Sequence, residues 1–329
     1  MDKQVIDNIV WCIPFRKLRD NVRYLLLYLI NYIDNEIEKE NQKNIPIDQQ
    51  FANFVASIGE PHIAPIGHYE SPYPPKNELL EGYKNLNSGK HFMYDFKALN
   101  MNDEIQLQLY EKLKEFFKNC NFSEEKDDKN RFYYNNVCFR DTCATYLFSI
   151  INYFKPKNII EIGSGFSTAL MLDINNNIFN NSINILSIEP YPSRLESLLL
   201  ETDNLEIIKE NQQKVSLEVF KKLDENDLLF IDSSHVCRQF GDINRQFFDI
   251  LPSLKKGVII HIHDIFYPFE YPKQWVYDRR MAFTEAYMLR AFLQYNDSFE
   301  IICFPNYLKY KYPDKVKIDS NSIYLKKVK

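Results

Sequence analysis

"NIIEIGSGFSTAL", Asn158 to Leu170, is an apolar run that breaks at two glycines and turns into a helix. The run Ile159–Ile162 has strand length. Gly163 and Gly165 permit a tight turn and let a ligand approach the backbone closely. Ser164, Ser167 and Thr168 are able to cap the helix that follows, whose free N–H groups face the same point. Glycine is scarce, 8 in 329 residues, while Asn, Lys, Ile, Tyr and Phe are abundant, as an AT-rich coding bias would give. Two glycines kept side by side therefore point to a backbone requirement. The spacing Gly163-x-Gly165-x-x-Thr168 resembles a dinucleotide fingerprint without its third glycine. A glycine turn that merely opens a helix remains the alternative.

Outward from this stretch, strands and helices alternate. A helix over Cys143–Phe154 precedes it. Strands are expected at Ile159–Ile162, Ile183–Ile188, Leu205–Ile208, Leu228–Ile231 and Val258–Ile262. Apolar strands alternating with helices predict a parallel sheet covered on both faces. Two last strands, Phe299–Phe304 and Ser322–Leu325, are separated by a loop without a strong helical pattern, which predicts an antiparallel hairpin at one edge. Upstream, residues 1 to about 45 read as helical, with Leu18, Val22, Leu25, Leu26, Leu29 and Ile33 on one stripe. Residues 55–80 are proline-broken loop. Met101–Phe117 is a helix with Asn102 or Asp103 as cap. Residues 1–100 are thus an extension, and 101–329 a domain with its core at 155–329.

Composition sets bounds. A net charge of -5 argues against nucleic acid as the main partner. None of the six cysteines forms a C-x-x-C pair, so a zinc ribbon is not expected. The polar start, Met1–Asn8, is no secretory signal, and a cytoplasmic protein with reduced thiols is expected. "YLLLYLI" (Tyr24–Ile30) is too short for a membrane span, which needs roughly 20 residues.

In a parallel sheet, ligands bind beyond the carboxyl ends of the strands. Glu189 ends the second strand, where an acid accepts hydrogen bonds from a ribose diol; Pro190 follows it. Asp232 ends the fourth strand, followed by Ser233 and by His235, a candidate general base. Asp232 as a helix cap is the rival reading. After the fifth strand, His263 and Asp264 reach the same rim. His261, one pleat deeper, reads as a satisfied buried histidine. Two carboxylates and two imidazoles converging there fit either a hard divalent ion or a metal-free acid–base pair. The loop beyond carries Tyr267, Phe269, Glu270, Tyr271, Trp275, Tyr277, Arg279 and Arg280. Tyr267, Glu270, Tyr271, Trp275 and Arg279 are candidates for holding a sugar or sugar-phosphate acceptor. A self-packed loop is the alternative.

Residues 131–329 resemble the class I S-adenosylmethionine-dependent methyltransferases, in particular the subgroup with I-D-x-x-H and H-D motifs. These read here as Ile231–His235 and His263–Asp264. "EIGSGFST" looks like the family's first motif, "IEP" like its ribose-binding acid, and "LKKGVIIHIHD" like its fifth-strand segment. "YESPYPP" (Tyr69–Pro75) and the helix from Asn102 look like the N-terminal extension of some members. The resemblance implies a Rossmann-like seven-stranded sheet with a reversed last strand. It carries Glu161, Gly163 and Gly165 to the methionine end of S-adenosylmethionine and Glu189 to its ribose, with Ser164, Ser167, Thr168, Pro190, Asp232 and Ser233 around them. Related sugar and antibiotic O-methyltransferases use a divalent metal such as Mg2+, which Asp232 and Asp264 would hold here. Some of those sites have two adjacent acids after strand five, where this chain has His263 before Asp264.

The expected chemistry is methylation of a hydroxyl on a small-molecule or glycan-precursor acceptor, such as a capsular or lipopolysaccharide sugar of a bacterium. His235 is the expected base and His263 the second choice. Methylation of an amine, a nicotinamide-dependent dehydrogenase and a non-catalytic scaffold are the alternatives. The dehydrogenase is disfavoured by Thr168 in place of the third glycine. The apolar helix Leu18–Ile33 points to homodimerisation through the extension.

Overall fold

In this computed structural model, which describes residues 71–329 apart from Val137, Glu201, Thr202 and Asn204, the apolar runs form strands. They are β1 (Asn158–Ile162), β2 (Asn184–Ile188), β3 (Glu206–Ile208), β4 (Leu228–Ile231), β5 (Ile259–His263), β6 (Phe299–Cys303) and β7 (Ser322–Lys327). Their order in the sheet is β3-β2-β1-β4-β5-β7-β6. β1 to β5 are parallel, and β7 runs antiparallel to both neighbours. The order reverses between β1 and β4. Right-handed crossovers then place the connections of the two halves on opposite faces and open a crevice at the reversal.

The main helices are α1 (Lys76–Asn87), α2 (Asp103–Phe117), α3 (Asp141–Phe154), α4 (Phe166–Phe179), α5 (Glu285–Leu293) and α6 (Pro305–Lys311). Burial follows position in the sheet. Every residue of β4 and β5 is buried, whereas β3, at one edge, is half-buried. Among the described residues, no helix is long and apolar enough to cross a membrane.

Four expectations need correction. A helix begins at Lys76, inside the stretch read as loop, because Pro74 and Pro75 lie just before its first turn, where a missing N–H costs nothing. Asn102 stands at the start of α2 but does not cap it with its side chain. Its Nδ2 instead donates to the Ile301 carbonyl (3.4 Å), and Gln106 accepts from the Phe304 N–H (2.6 Å), so α2 occupies main-chain groups of the outer strand. β6 and β7 do pair antiparallel at the edge. β7 lies inside β6, however, and α6 joins them with Pro305 in its first turn.

The last correction concerns the domain boundary. One compact unit runs from Lys76 to Lys329. Residues 76–100 belong to it: Arg290 donates to the carbonyls of Met93 and Asp95 (2.6 Å each), and the Tyr295 N–H donates to Ala98 (3.0 Å). The helix expected over residues 18–33 lies outside the described residues.

Candidate active site

The register puts the ends of four strands level. Ile162 pairs with both Ile188 and Ile231, and Ile231 pairs with Ile262. Gly163, Glu189, Asp232 and His263 are therefore the four residues at the rim, with Asp264 one further. Gly163 lies in the left-handed region at φ +79°, and a Cβ there would sit 1.8 Å from the Asp232 carbonyl oxygen. The approach is that close because the Asp232 N–H donates to Ile162 (2.9 Å) and the Gly163 N–H to Ile188 (3.1 Å). Gly165 is less constrained; the nearest atom to its Cβ would be Arg194 Cδ at 3.2 Å.

Beneath this loop lies Glu161, fully buried. Ser167 donates to one of its oxygens (2.6 Å), and Thr168 and Ser187 (2.9 Å) donate to the other. Thr168 also accepts from the Gly165 N–H (3.1 Å). The resemblance places Glu161 and Thr168 at the cofactor. Their polar atoms are instead consumed within the loop, so they brace it from below.

Burial pushes the Glu161 carboxyl up to about 7, against the three hydroxyl bonds that favour its charged form. The unfolded chain thus ionises first, and stability from this group falls as pH rises from 4.5 to about 7. The loss is on the order of 3 kcal/mol. Glu161→Gln is expected to flatten that part of the pH profile in urea titrations at pH 5 and 7.5; an unchanged slope would refute the assignment.

Above the loop lie two lobes. One, about 310 Å³, is lined by Gly163, Glu189, Pro190, Tyr191, Gln212, Gln213, Asp232, Ser233, Arg238 and neighbours. The other, about 250 Å³, is lined by Cys138, Phe139, Gly163, Ser164, Gly165, Ser167, Glu189, Arg194, Asp232 and Ser233, with Phe166. Glu189 accepts from the Ser164 N–H (3.1 Å) and the Tyr191 N–H (2.8 Å), one on each oxygen. Both oxygens keep lone pairs for a ligand. Sequence reading missed Asn211, Gln212, Gln213 and Arg238. The signal was weak, since Asn211–Gln213 stand three to five residues past β3, whereas Glu189 follows β2 directly. Gln212 is buried and its Oε1 has no hydrogen-bond partner.

The far side of Asp232 is an acid–imidazole centre. His235 Nε2 lies 3.2 Å from Asp232 Oδ1 and 3.6 Å from Asp264 Oδ2, and its Nδ1 lies 2.7 Å from Glu285 Oε2. The His235 carbonyl accepts from the Thr284 and Glu285 N–H groups (2.9 and 3.1 Å), so the start of α5 grips this loop. His235 and Asp264 both hold left-handed backbone, φ +59° and +56°. Strained residues of this kind persist where the surroundings fix them, which is common at functional sites. Asn321 Nδ2 donates to Asp264 Oδ1, and Cys143 Sγ donates to Asn321 Oδ1 (2.6 Å). Burial would raise the Asp232 carboxyl, but the His263 and His235 imidazoles override it and hold it at about 2. Burial would lower His235, yet the Asp232 and Glu285 hydrogen bonds and charges raise it well above 6.5.

Residues 160–265 match a family described as a methyltransferase domain. An uncharacterized protein of Archaeoglobus fulgidus is 33% identical over 167 residues, which cover 50% of this chain and 75% of that one. The chain belongs to this methyltransferase-domain family. Among solved structures, the SAH-bound Podospora anserina methyltransferase PaMTH1 is similar at 15% identity and a TM-score of 0.40, over 87% of this chain and 98% of that one. The CmcI-N160 apo-structure matches at 15% identity and 0.37, over 57% and 71%.

The methyltransferase domain brings together most residues singled out from the sequence: Gly163, Ser164, Gly165, Ser167, Glu189, Pro190, Asp232 and Ser233 line the lobes. Asp232 caps no helix, since the chain after β4 stays irregular to Gly241. The His235 ring is engaged by carboxylates on both nitrogens, Glu285 Oε2 at Nδ1 (2.7 Å) and Asp232 Oδ1 at Nε2 (3.2 Å). His261 is buried with Nε2 3.2 Å from His263 Nδ1, but its own Nδ1 has no partner, so it is not fully satisfied.

The aromatic loop divides. Tyr271 is buried, its hydroxyl accepting from the Ala286 N–H (3.0 Å) and its carbonyl from Tyr83 (2.8 Å). Tyr267 packs among Phe96, Tyr307 and Tyr310. Glu270 accepts from Tyr287 (2.8 Å). These three support the loop rather than line a mouth. Trp275 is half-buried, 5.8 Å from Phe283, and Phe283 lies 5.0 Å from the His235 ring. Arg279 is exposed.

Proposed function

We propose that this methyltransferase domain transfers the methyl group of S-adenosylmethionine to a hydroxyl of a small carbohydrate or glycan-precursor acceptor. The observation that carries this reading is the shared floor: Gly163, Glu189, Asp232 and Ser233 line both lobes, and Asp232 also belongs to the acid–imidazole centre. A nucleoside in the larger lobe and an amino-acid tail in the smaller one leave the sulfonium at their junction. Glu189 would receive the ribose diol, with Gln212 in the wall of the same lobe. The half-buried rings of Trp275 and Phe283 offer a flat apolar face for a sugar ring beside His235.

The methyl is already activated, so the protein's task is alignment and proton removal. The acceptor oxygen attacks the methyl carbon, the carbon–sulfur bond breaks, and S-adenosylhomocysteine forms. The acceptor proton passes to His263, the imidazole that no carboxylate holds within hydrogen-bond distance; Asp264 Oδ1 is 3.7 Å from its Nε2. Asp232 and Asp264 fit a divalent cation, because two carboxylates converge with a ring nitrogen within 4.8 Å. Such an ion supplies an electrophile that lowers the pKa of a bound hydroxyl.

Glu189→Ala tests the cofactor reading. Removing two charge-assisted ribose bonds is expected to weaken S-adenosylhomocysteine binding at least about 100-fold by calorimetry, at roughly 1.5–3 kcal/mol each. A change under threefold would overturn the assignment.

A further inference from the structure

The centre formed by Asp232, His235, Asp264 and Glu285 is built in two layers. His235, Asp232 and Asp264 each offer one atom to a common point, all within 4.8 Å of one another. Behind them stand groups that fix their orientation. Glu285 is buried and its Oε2 is 2.7 Å from His235 Nδ1, so Nδ1 carries the donated hydrogen and Nε2 faces the two aspartates. Two N–H bonds from the start of α5 fix the His235 main chain. Asn321 fixes Asp264. A histidine held by a carboxylate on one nitrogen, with the other aimed between acids, is the usual arrangement of an imidazole metal ligand.

Charge balance points the same way. Three acids meet two histidines here, His235 and, 3.7 Å from Asp264, His263, and among the described residues no lysine or arginine nitrogen lies within 4.0 Å of any of the three acids. Three carboxylates with no lysine or arginine beside them, Glu285 fully buried and Asp232 and Asp264 half-buried, favour a further cation where they converge.

We infer that His235 is a third metal ligand beside Asp232 and Asp264, that Glu285 is its positioning residue, and that the site takes a first-row transition ion such as Mn2+, Fe2+ or Co2+ in preference to Mg2+. The chemistry lies in the donor set. Mg2+ takes oxygen ligands and is bound through carboxylates and water. Imidazole suits the later first-row ions, whose affinities for nitrogen rise along the series. The inference rests on the reading of Asp232 and Asp264 as a cation site. It replaces an all-oxygen set with two oxygens and one nitrogen.

The test uses the full chain after EDTA treatment, titrated calorimetrically with CoCl2, MnCl2 and MgCl2. Visible absorption of the Co2+ form and S-adenosylhomocysteine binding are measured on the same samples. Co2+ is expected to bind at least about 100-fold more tightly than Mg2+. His235→Ala should lose about 100-fold in Co2+ affinity and change the Co2+ spectrum, while Mg2+ affinity moves less than threefold. Glu285→Gln should lose about 10–100-fold for Co2+ with S-adenosylhomocysteine affinity unchanged, a pattern that general loosening of the fold would not give. Where His235→Ala fails to fold, His235→Asn and the wild-type ion ratio carry the test.

Equal Co2+ and Mg2+ affinity, an unaltered Co2+ affinity in the His235 variants, or no ion binding would each overturn the inference. Failure to bind S-adenosylhomocysteine with Co2+ selectivity intact would instead sink the methyl-transfer reading and leave the metal site standing.

Discussion

Gly163→Ala is expected to destabilise the protein by about 2–5 kcal/mol and to erase cofactor binding, whereas Gly165→Ala costs less stability. The magnitude combines two costs. A residue with a Cβ held at φ +79° pays about 1–2 kcal/mol. The new methyl would also sit 1.8 Å from the Asp232 carbonyl oxygen, a backbone atom pinned by its own strand, and overpacking of this kind costs about 1–3 kcal/mol. Relief requires β1 and β4 to separate at the point where both lobes share their floor. At Gly165 the nearest atom is Arg194 Cδ, part of an exposed and flexible side chain at 3.2 Å. Thermal melting and S-adenosylhomocysteine titration of the two variants check this. Equal behaviour of the two would show that the loop is not constrained as described.

Arg131→Met has the second large effect, this time on stability. The Arg131 guanidinium is buried between Asp173 (2.7 Å) and Asp203, and the Arg131 and Phe132 N–H groups also donate to Asp173 (2.8 Å each). Asp173 lies in α4, the helix opened by the glycine loop, so this cluster ties the chain before α3 to the cofactor-side helix. Removing the arginine leaves two carboxylates without their cation, a loss of about 3–5 kcal/mol. Adding Asp173→Asn should restore part of it, because one of the stranded charges is then gone. Urea denaturation of the single and double variants measures this; a loss below 1 kcal/mol in the single variant would contradict it.

The fold was legible because its signals are local. Apolar runs of strand length, broken by turn residues, gave all seven strands within a residue or two, and the rule that ligands sit past strand ends singled out Gly163, Glu189, Asp232 and Asp264. The same rule, applied to β3, points first to Lys209; Gln212 lies four residues past the strand end. What stayed hidden depends on tertiary contacts. Glu285 meets His235 only because α5 folds back onto the loop after β4, and nothing in "FTEAY" announces it. Tyr271 reads like Trp275 in the sequence; burial alone separates a supporting ring from a half-exposed one. His235 reads as a base from its type and neighbourhood, and the three acids around it become visible only in the fold.

The most direct test of the central claim is calorimetric titration of the wild-type chain with S-adenosylhomocysteine. A 1:1 complex with micromolar Kd, lost in Gly163→Ala, is the predicted result. No binding at millimolar ligand by the folded wild-type chain would contradict it.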